Sequence, residues 1–134
     1  MSHSPVRKLT PNLIVDAIEP CLAFWTERLG FAKTVEVPDG DRLGFVILAK
    51  DGVELMYQTW HSAAEDAPGL AARSEGHTVV LFMEVGDLDA VERAMPKKEI
   101  VMPRRTTFYG MHEIAAREPG GNLVIFAQPA GAAR

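Results

Sequence analysis

The stretch Thr107-Phe-Tyr-Gly-Met-His-Glu-Ile-Ala-Ala-Arg-Glu-Pro-Gly-Gly-Asn-Leu-Val-Ile-Phe-Ala-Gln128 decides the fold. An apolar strand, Gly110–Arg117, breaks at Glu118-Pro119-Gly120-Gly121-Asn122, and a second strand, Leu123–Gln128, returns. Proline fixes one turn dihedral, and the two glycines and the asparagine supply positive φ where it is needed. A β-hairpin is the predicted result.

Working outward, Ile100–Thr106 reads as the strand before the hairpin. Ahead of it, strand Thr78–Val85 leads into a helix capped by Asp87, carrying Leu88, Val91 and Met95 and stopped by Pro96. This is a βαβββ unit. The same grammar occurs earlier in the chain. Leu9–Val15 reads as a strand, with Pro11 confining it to an edge or a strand start. Asp16 and Glu19 resemble a capping box, and Ile18, Leu22, Trp25 and Leu29 recur on one helical face before Gly30. Strands Phe31–Val37, Leu43–Ala49 and Val53–Thr59 follow, separated by the turn signals Pro38–Asp41 and Lys50–Gly52. Trp60–Gly76 reads as a connection with a short helix.

The expectation is therefore one α+β domain over residues 1–134, made of two βαβββ modules at about 7–59 and 77–128. Each helix covers one face of a small sheet. The other face still carries Met56, Phe82 and Ile125 and needs a partner. Two curved mixed sheets closing on each other would bury those faces around a cleft.

Composition bounds the function. A chain of 134 residues can bury a core of its own. A net charge of −4 with interspersed signs lacks the clustered basic face that nucleic acid requires. No apolar run approaches a membrane span, and Met1–Lys8 lacks the apolar core of a secretory signal. With the lone Cys21 set in a helical pattern, the expected location is cytoplasmic and the thiol is expected to be buried packing.

The hairpin wording, with Tyr109-Gly110-Met111, Glu113, Ala115 and Arg117-Glu118-Pro119 ahead of Gly121-Asn122, resembles the closing signature of the vicinal oxygen chelate superfamily. Leu9–Val15 with Cys21–Phe31 is similar to that family's opening strand and helix, and Val53–Tyr57 to the fourth strand of glyoxalase I. The superfamily includes glyoxalase I, extradiol dioxygenases, epimerases and bleomycin-resistance proteins. The resemblance implies a paired βαβββ fold and a cleft, and does not by itself fix a reaction.

Members resembling glyoxalase I place four metal ligands in the cleft. On this chain the resemblance puts those positions at Thr10, Glu54, Val80 and Ile125. A catalytic divalent metal needs about three protein ligands, and only Glu54 is a good one. The metal-free reading is therefore expected: no metal, no cofactor, a bleomycin-resistance-like binder. A site built from Glu54, His112 and one loop histidine is the metal-containing alternative.

Strand parity carries the cleft face from Glu54 to Met56, Gln58 and Trp60, and from Val80 to Phe82 and Glu84. The expected ligand-binding set is Glu54, Met56, Trp60, Phe82, Tyr109 and His112. Parity leaves open whether Met111 and Glu113, or Gly110 and His112, face the cleft. Glu54 is the one catalytic candidate, as a general base. Three readings follow: a metal-independent protein that sequesters an aromatic or cationic small molecule; a lyase, isomerase or dioxygenase using Glu54 or an atypical metal site; and a dimeric accessory protein. A homodimer is expected, because a second copy can cover the sheet edge that starts at Pro11.

Overall fold

The structure, a computed structural model, describes residues 3, 5, 7–66 and 79–131. His77, Thr78 and the end of the Trp60–Gly76 connection lie outside the described residues.

The first module runs β1 (Asn12–Val15), α1 (Glu19–Ala23) with a π-helical continuation (Phe24–Arg28), β2 (Ala32–Asp39), β3 (Arg42–Lys50) and β4 (Val53–Thr59). A short α2 (Trp60–Asp66) follows. The second module runs β5 (Val80–Glu84), α3 (Leu88–Ala94), β6 (Ile100–Thr106), β7 (Met111–Arg117) and β8 (Leu123–Pro129). The strands form two four-stranded sheets, ordered β1-β4-β3-β2 and β5-β8-β7-β6, with parallel β1–β4 and β5–β8 pairs. The expected α+β architecture of two βαβββ modules is what the chain adopts.

Two local expectations shift. α1 has no capping box: Ile18 is its N-cap and makes no side-chain cap bond. The Glu19 carboxylate instead accepts a hydrogen bond from the Leu43 backbone N–H at 2.6 Å, so a tertiary partner displaces the local one. The buried helix face also differs from the regular spacing. Ile18, Cys21, Phe24 and Trp25 are fully buried, whereas Leu22 and Leu29 are only half-buried. The π-helical turn widens the helix at Phe24 and rotates the residues that follow.

The two modules share one hydrophobic core. Leu13, Val46, Leu48, Leu55 and Tyr57 of the first sheet join Ile114, Ala116, Val124 and Phe126 of the second, with Ile18, Phe24 and Trp25 of the first helix between them. Phe24 stacks on Phe126 with centroids 6.5 Å apart. Large apolar side chains buried in this way each contribute roughly 1.5–3 kcal/mol.

The EPGGN turn ties the modules together. Trp25 Nε1 donates to Tyr57 Oη at 2.8 Å, and Tyr57 Oη in turn donates to the buried Glu118 carboxylate. Glu118 also accepts the Asn122 N–H, while Asn122 Oδ1 accepts the Val79 N–H at 3.2 Å. The two turn glycines serve different ends. Gly121 adopts the positive φ (+93°) expected of the turn. Gly120 supplies space instead, because a Cβ there would lie 2.8 Å from Val15 Cγ1 and 2.9 Å from Glu118 Oε2. Asn122 has no positive φ, and its value is in its hydrogen bonds.

Candidate functional site

Because the shared core takes one face of each sheet, the other face of each remains open. On the first sheet, register places Glu54 beside Ala49, Met56 beside Ile47 and Asn12, and Gln58 beside Phe45. Lys8 Nζ lies 2.6 Å from Glu54 Oε1, and Thr10 Oγ1 donates to the same oxygen at 3.3 Å. The Lys8 hydrogen bond, above all, holds the Glu54 carboxyl below its ordinary range. Gln58 accepts from Asn12 Nδ2 at 3.0 Å and donates to Ser62 Oγ at 3.2 Å, so both ends of its amide are engaged.

On the second sheet, Val80, Phe82 and Glu84 lie beside Leu123, Ile125 and Ala127, and β7 continues that face through Ala115 and Glu113. This settles the question parity left open: Met111 and Glu113 take the open face. Glu113 is nevertheless fully buried, covered by its own partners. Arg105 donates to Glu113 Oε1 through Nη2 at 3.0 Å and Nε at 3.3 Å, and Tyr109 Oη donates to Oε2 at 2.7 Å. That bond is the main cause raising the Tyr109 pKa. The Tyr109 ring is half exposed and meets the fully exposed Phe108 edge-on, with centroids 5.1 Å apart.

His112 requires a correction. It pairs with Gln128 and Thr106, on the face opposite Glu113, and its Nδ1 lies 2.8 Å from Thr106 Oγ1. The strand alternates, so the same geometry that places Glu113 on the open face removes His112 from it. The expected convergence of Glu54, Met56 and Phe82 between the modules of one chain is also revised. Glu54 and Met56 lie on one sheet and Phe82 on the other, and Phe82 is 55% exposed. The modules pack through their helix-covered faces, which turns the Glu54 and Phe82 faces outward. Trp60 begins α2 and is half-buried, directly after the end of β4.

The four positions that the resemblance singled out, Thr10, Glu54, Val80 and Ile125, do not converge within one chain. Thr10 and Glu54 meet on one open face, while Val80 and Ile125 share the other. Their chemistry does not fit a divalent metal: two of the four side chains carry no donor, and the Glu54 carboxylate is held by an ammonium and a hydroxyl. A separate groove of about 440 Å³ opens at the seam between the modules, lined by Leu29, Phe31, Val53, Met83, Val85 and Val91 among others. Sequence reasoning missed it because its walls come from both modules. The cations at its edge are engaged, Arg28 with Glu99 and Lys50 with the Leu29 carbonyl at 2.6 Å.

The sequence profile of the Glyoxalase/Bleomycin resistance protein/Dioxygenase superfamily matches residues 9–126, and the chain belongs to that family. No curated protein matches the chain. Among solved structures, a glyoxalase/bleomycin resistance protein/dioxygenase from Nocardioides is 18% identical, with 98% of this chain and 89% of that one covered and a TM-score of 0.69. A lactoylglutathione lyase from Agrobacterium tumefaciens is 16% identical, covering 93% and 95%, at a TM-score of 0.72. A bleomycin resistance determinant encoded on the transposon Tn5 is 21% identical, covering 92% and 98%, at 0.64. At these identities the likeness establishes the fold. No helix among the described residues is long and apolar enough to cross a membrane.

Proposed function

We propose that the chain is a metal-independent small-molecule-binding protein, acting as a homodimer, whose ligand sits over the open sheet faces around Glu54. The observation that carries this reading is the donor set: one carboxylate on an open face, with Val80 and Ile125 where the remaining ligands of a metal enzyme would stand. The ligand class follows from the surroundings. Met56, Phe82 and Tyr109 offer apolar and aromatic area, and Glu54 offers a negative charge, so a partly aromatic molecule bearing a cation or donor suits the site. Such a group would take the place of the exposed Lys8 ammonium on Glu54.

The dimer rests on the two unpartnered faces. Val35 and Val37 of the first sheet and Val80 and Phe82 of the second are each 40–55% exposed, a large apolar area for an isolated domain. The sheets repeat the same strand order, so a twofold axis can lay the first sheet of one copy over the second sheet of the other, twice. Each cleft then takes Glu54 from one copy and Phe82 from its partner. The depressed Glu54 pKa favours a binding acceptor over a general base, since general-base work at neutral pH calls for a raised one.

Thermal-shift screening against aromatic and cationic compounds identifies the ligand, because a ligand of the folded state must raise Tm. Glu54→Gln should then weaken that ligand by about tenfold with the Tm of the free protein unchanged, and EDTA should leave the affinity unaltered. Loss of ligand binding on chelation, or an unaltered affinity in Glu54→Gln, overturns the reading.

A further inference from the structure

His61 lies on α2, and Glu65 follows it one turn later on the same face. Asp39, the last residue of β2, reaches them from the sheet. His61 Nδ1 lies 2.7 Å from Asp39 Oδ2 and 3.8 Å from Glu65 Oε1, and one donor atom from each residue falls within 4.8 Å of the others. A transition ion bound at about 2.0–2.2 Å from each donor sets them roughly 3–4 Å apart, so the 3.8 Å pair is already in range and the 2.7 Å hydrogen-bonded pair need only open slightly.

We infer that Asp39, His61 and Glu65 form a surface site for a divalent transition ion of the zinc type, which fastens α2 to the end of β2. One imidazole and two carboxylates make the usual number of protein ligands at an open zinc site, with water completing the coordination. The donors also select among ions. Calcium and magnesium want shells built of oxygen, whereas an imidazole nitrogen favours zinc, nickel or cobalt. The side chain of His61 is 64% exposed, so the ion has an entry path.

A second feature of the chain keeps the donors close. A Cβ on Gly44 would lie 2.9 Å from Asp39 Cβ and 3.2 Å from Ser62 Cβ. These two carbons belong to the two segments that carry the donors, so a side chain at 44 would wedge α2 and Asp39 apart. Arg42 stands opposite Asp39 in the strand register across the β2–β3 turn and is the neighbouring cation that a bound ion must tolerate. The site shares no residue with the open face around Glu54, so an ion here supplies nothing to the ligand-binding proposal.

Isothermal titration of the full chain with zinc chloride tests the inference, with magnesium chloride as comparison. One zinc per chain is expected, with little heat from magnesium. Trp60, adjacent to His61, should report binding through its fluorescence against a constant signal from the buried Trp25. His61→Ala should lower zinc affinity at least about tenfold, with Asp39→Asn and Glu65→Gln each weakening it and His112→Ala leaving it unchanged. His61 is exposed, so its replacement leaves folding intact and the comparison clean. The inference fails if no saturable zinc binding occurs, if His61→Ala binds as the parent does, or if magnesium binds equally well.

Discussion

The open face of the first sheet and that of the second each carry a central carboxylate, and the two are held in opposite ways. Glu54 keeps 26% of its side-chain surface exposed, and Lys8, its strongest partner, is itself 62% exposed near the start of the chain. Glu113 has no exposed surface and is clamped by Arg105 and Tyr109. A partner of the first kind can be exchanged for a ligand, while one of the second kind fixes the surface around it. The difference teaches that the position of a carboxylate on an open sheet face does not fix its role; what already satisfies it does.

A third carboxylate sets the upper limit of that contrast. Glu118 lies in the shared core and accepts from Tyr57 and Asn122. Deleting that carboxylate leaves two buried donors, the Tyr57 hydroxyl and the Asn122 N–H, without their acceptor, at a combined cost of about 2–6 kcal/mol. Glu118→Ala should therefore destabilise the fold by about that much in urea unfolding, with Tyr57→Phe costing about 1–2 kcal/mol. Near-neutral Glu118→Ala would show that the turn does not fasten the modules.

Glu113→Ala should cost less, about 1–2 kcal/mol, because Arg105 is half exposed and water can solvate it. It should also free Tyr109, returning the phenol's titration toward its ordinary value in ultraviolet absorbance. If Tyr109 titrates as before, the clamp is not what holds it.

The smallest effect falls on Glu54. Its carboxyl is depressed in the folded state, so the contribution of the Lys8 pair is present above the ordinary carboxylate pKa and is lost as pH falls through the depressed value. Lys8→Met should raise the Glu54 pKa, read by carboxyl-selective NMR titration, with little change in Tm. An unmoved pKa would contradict exchangeable pairing with Lys8.

Much of this was legible in the residues. The EPGGN turn and the period-two runs placed the hairpin and both modules, and β4 and β6 have the expected bounds, because turn chemistry and alternation are local. The depth of Glu113 was not legible, since its cover comes from Arg105 and Tyr109 through tertiary register. Nor was the outward turn of the Glu54 and Phe82 faces: parity tells which residues share a face, but not which face the modules use to pack. The α1 cap failed for a similar reason, as Leu43 lies 24 residues from Glu19.

The central claim is that a second copy completes the cleft, bringing Met56 of one chain near Phe82 of its partner. Chains carrying Met56→Cys and chains carrying Phe82→Cys can be mixed under mild oxidation. The native Cys21 adds no background, because it is buried and burial pushes its thiol up to about 12. The account predicts a disulfide-linked species of twice the 14.7 kDa chain mass, formed from the mixture and not from either variant alone. A mixture that remains at the mass of a single chain would contradict it.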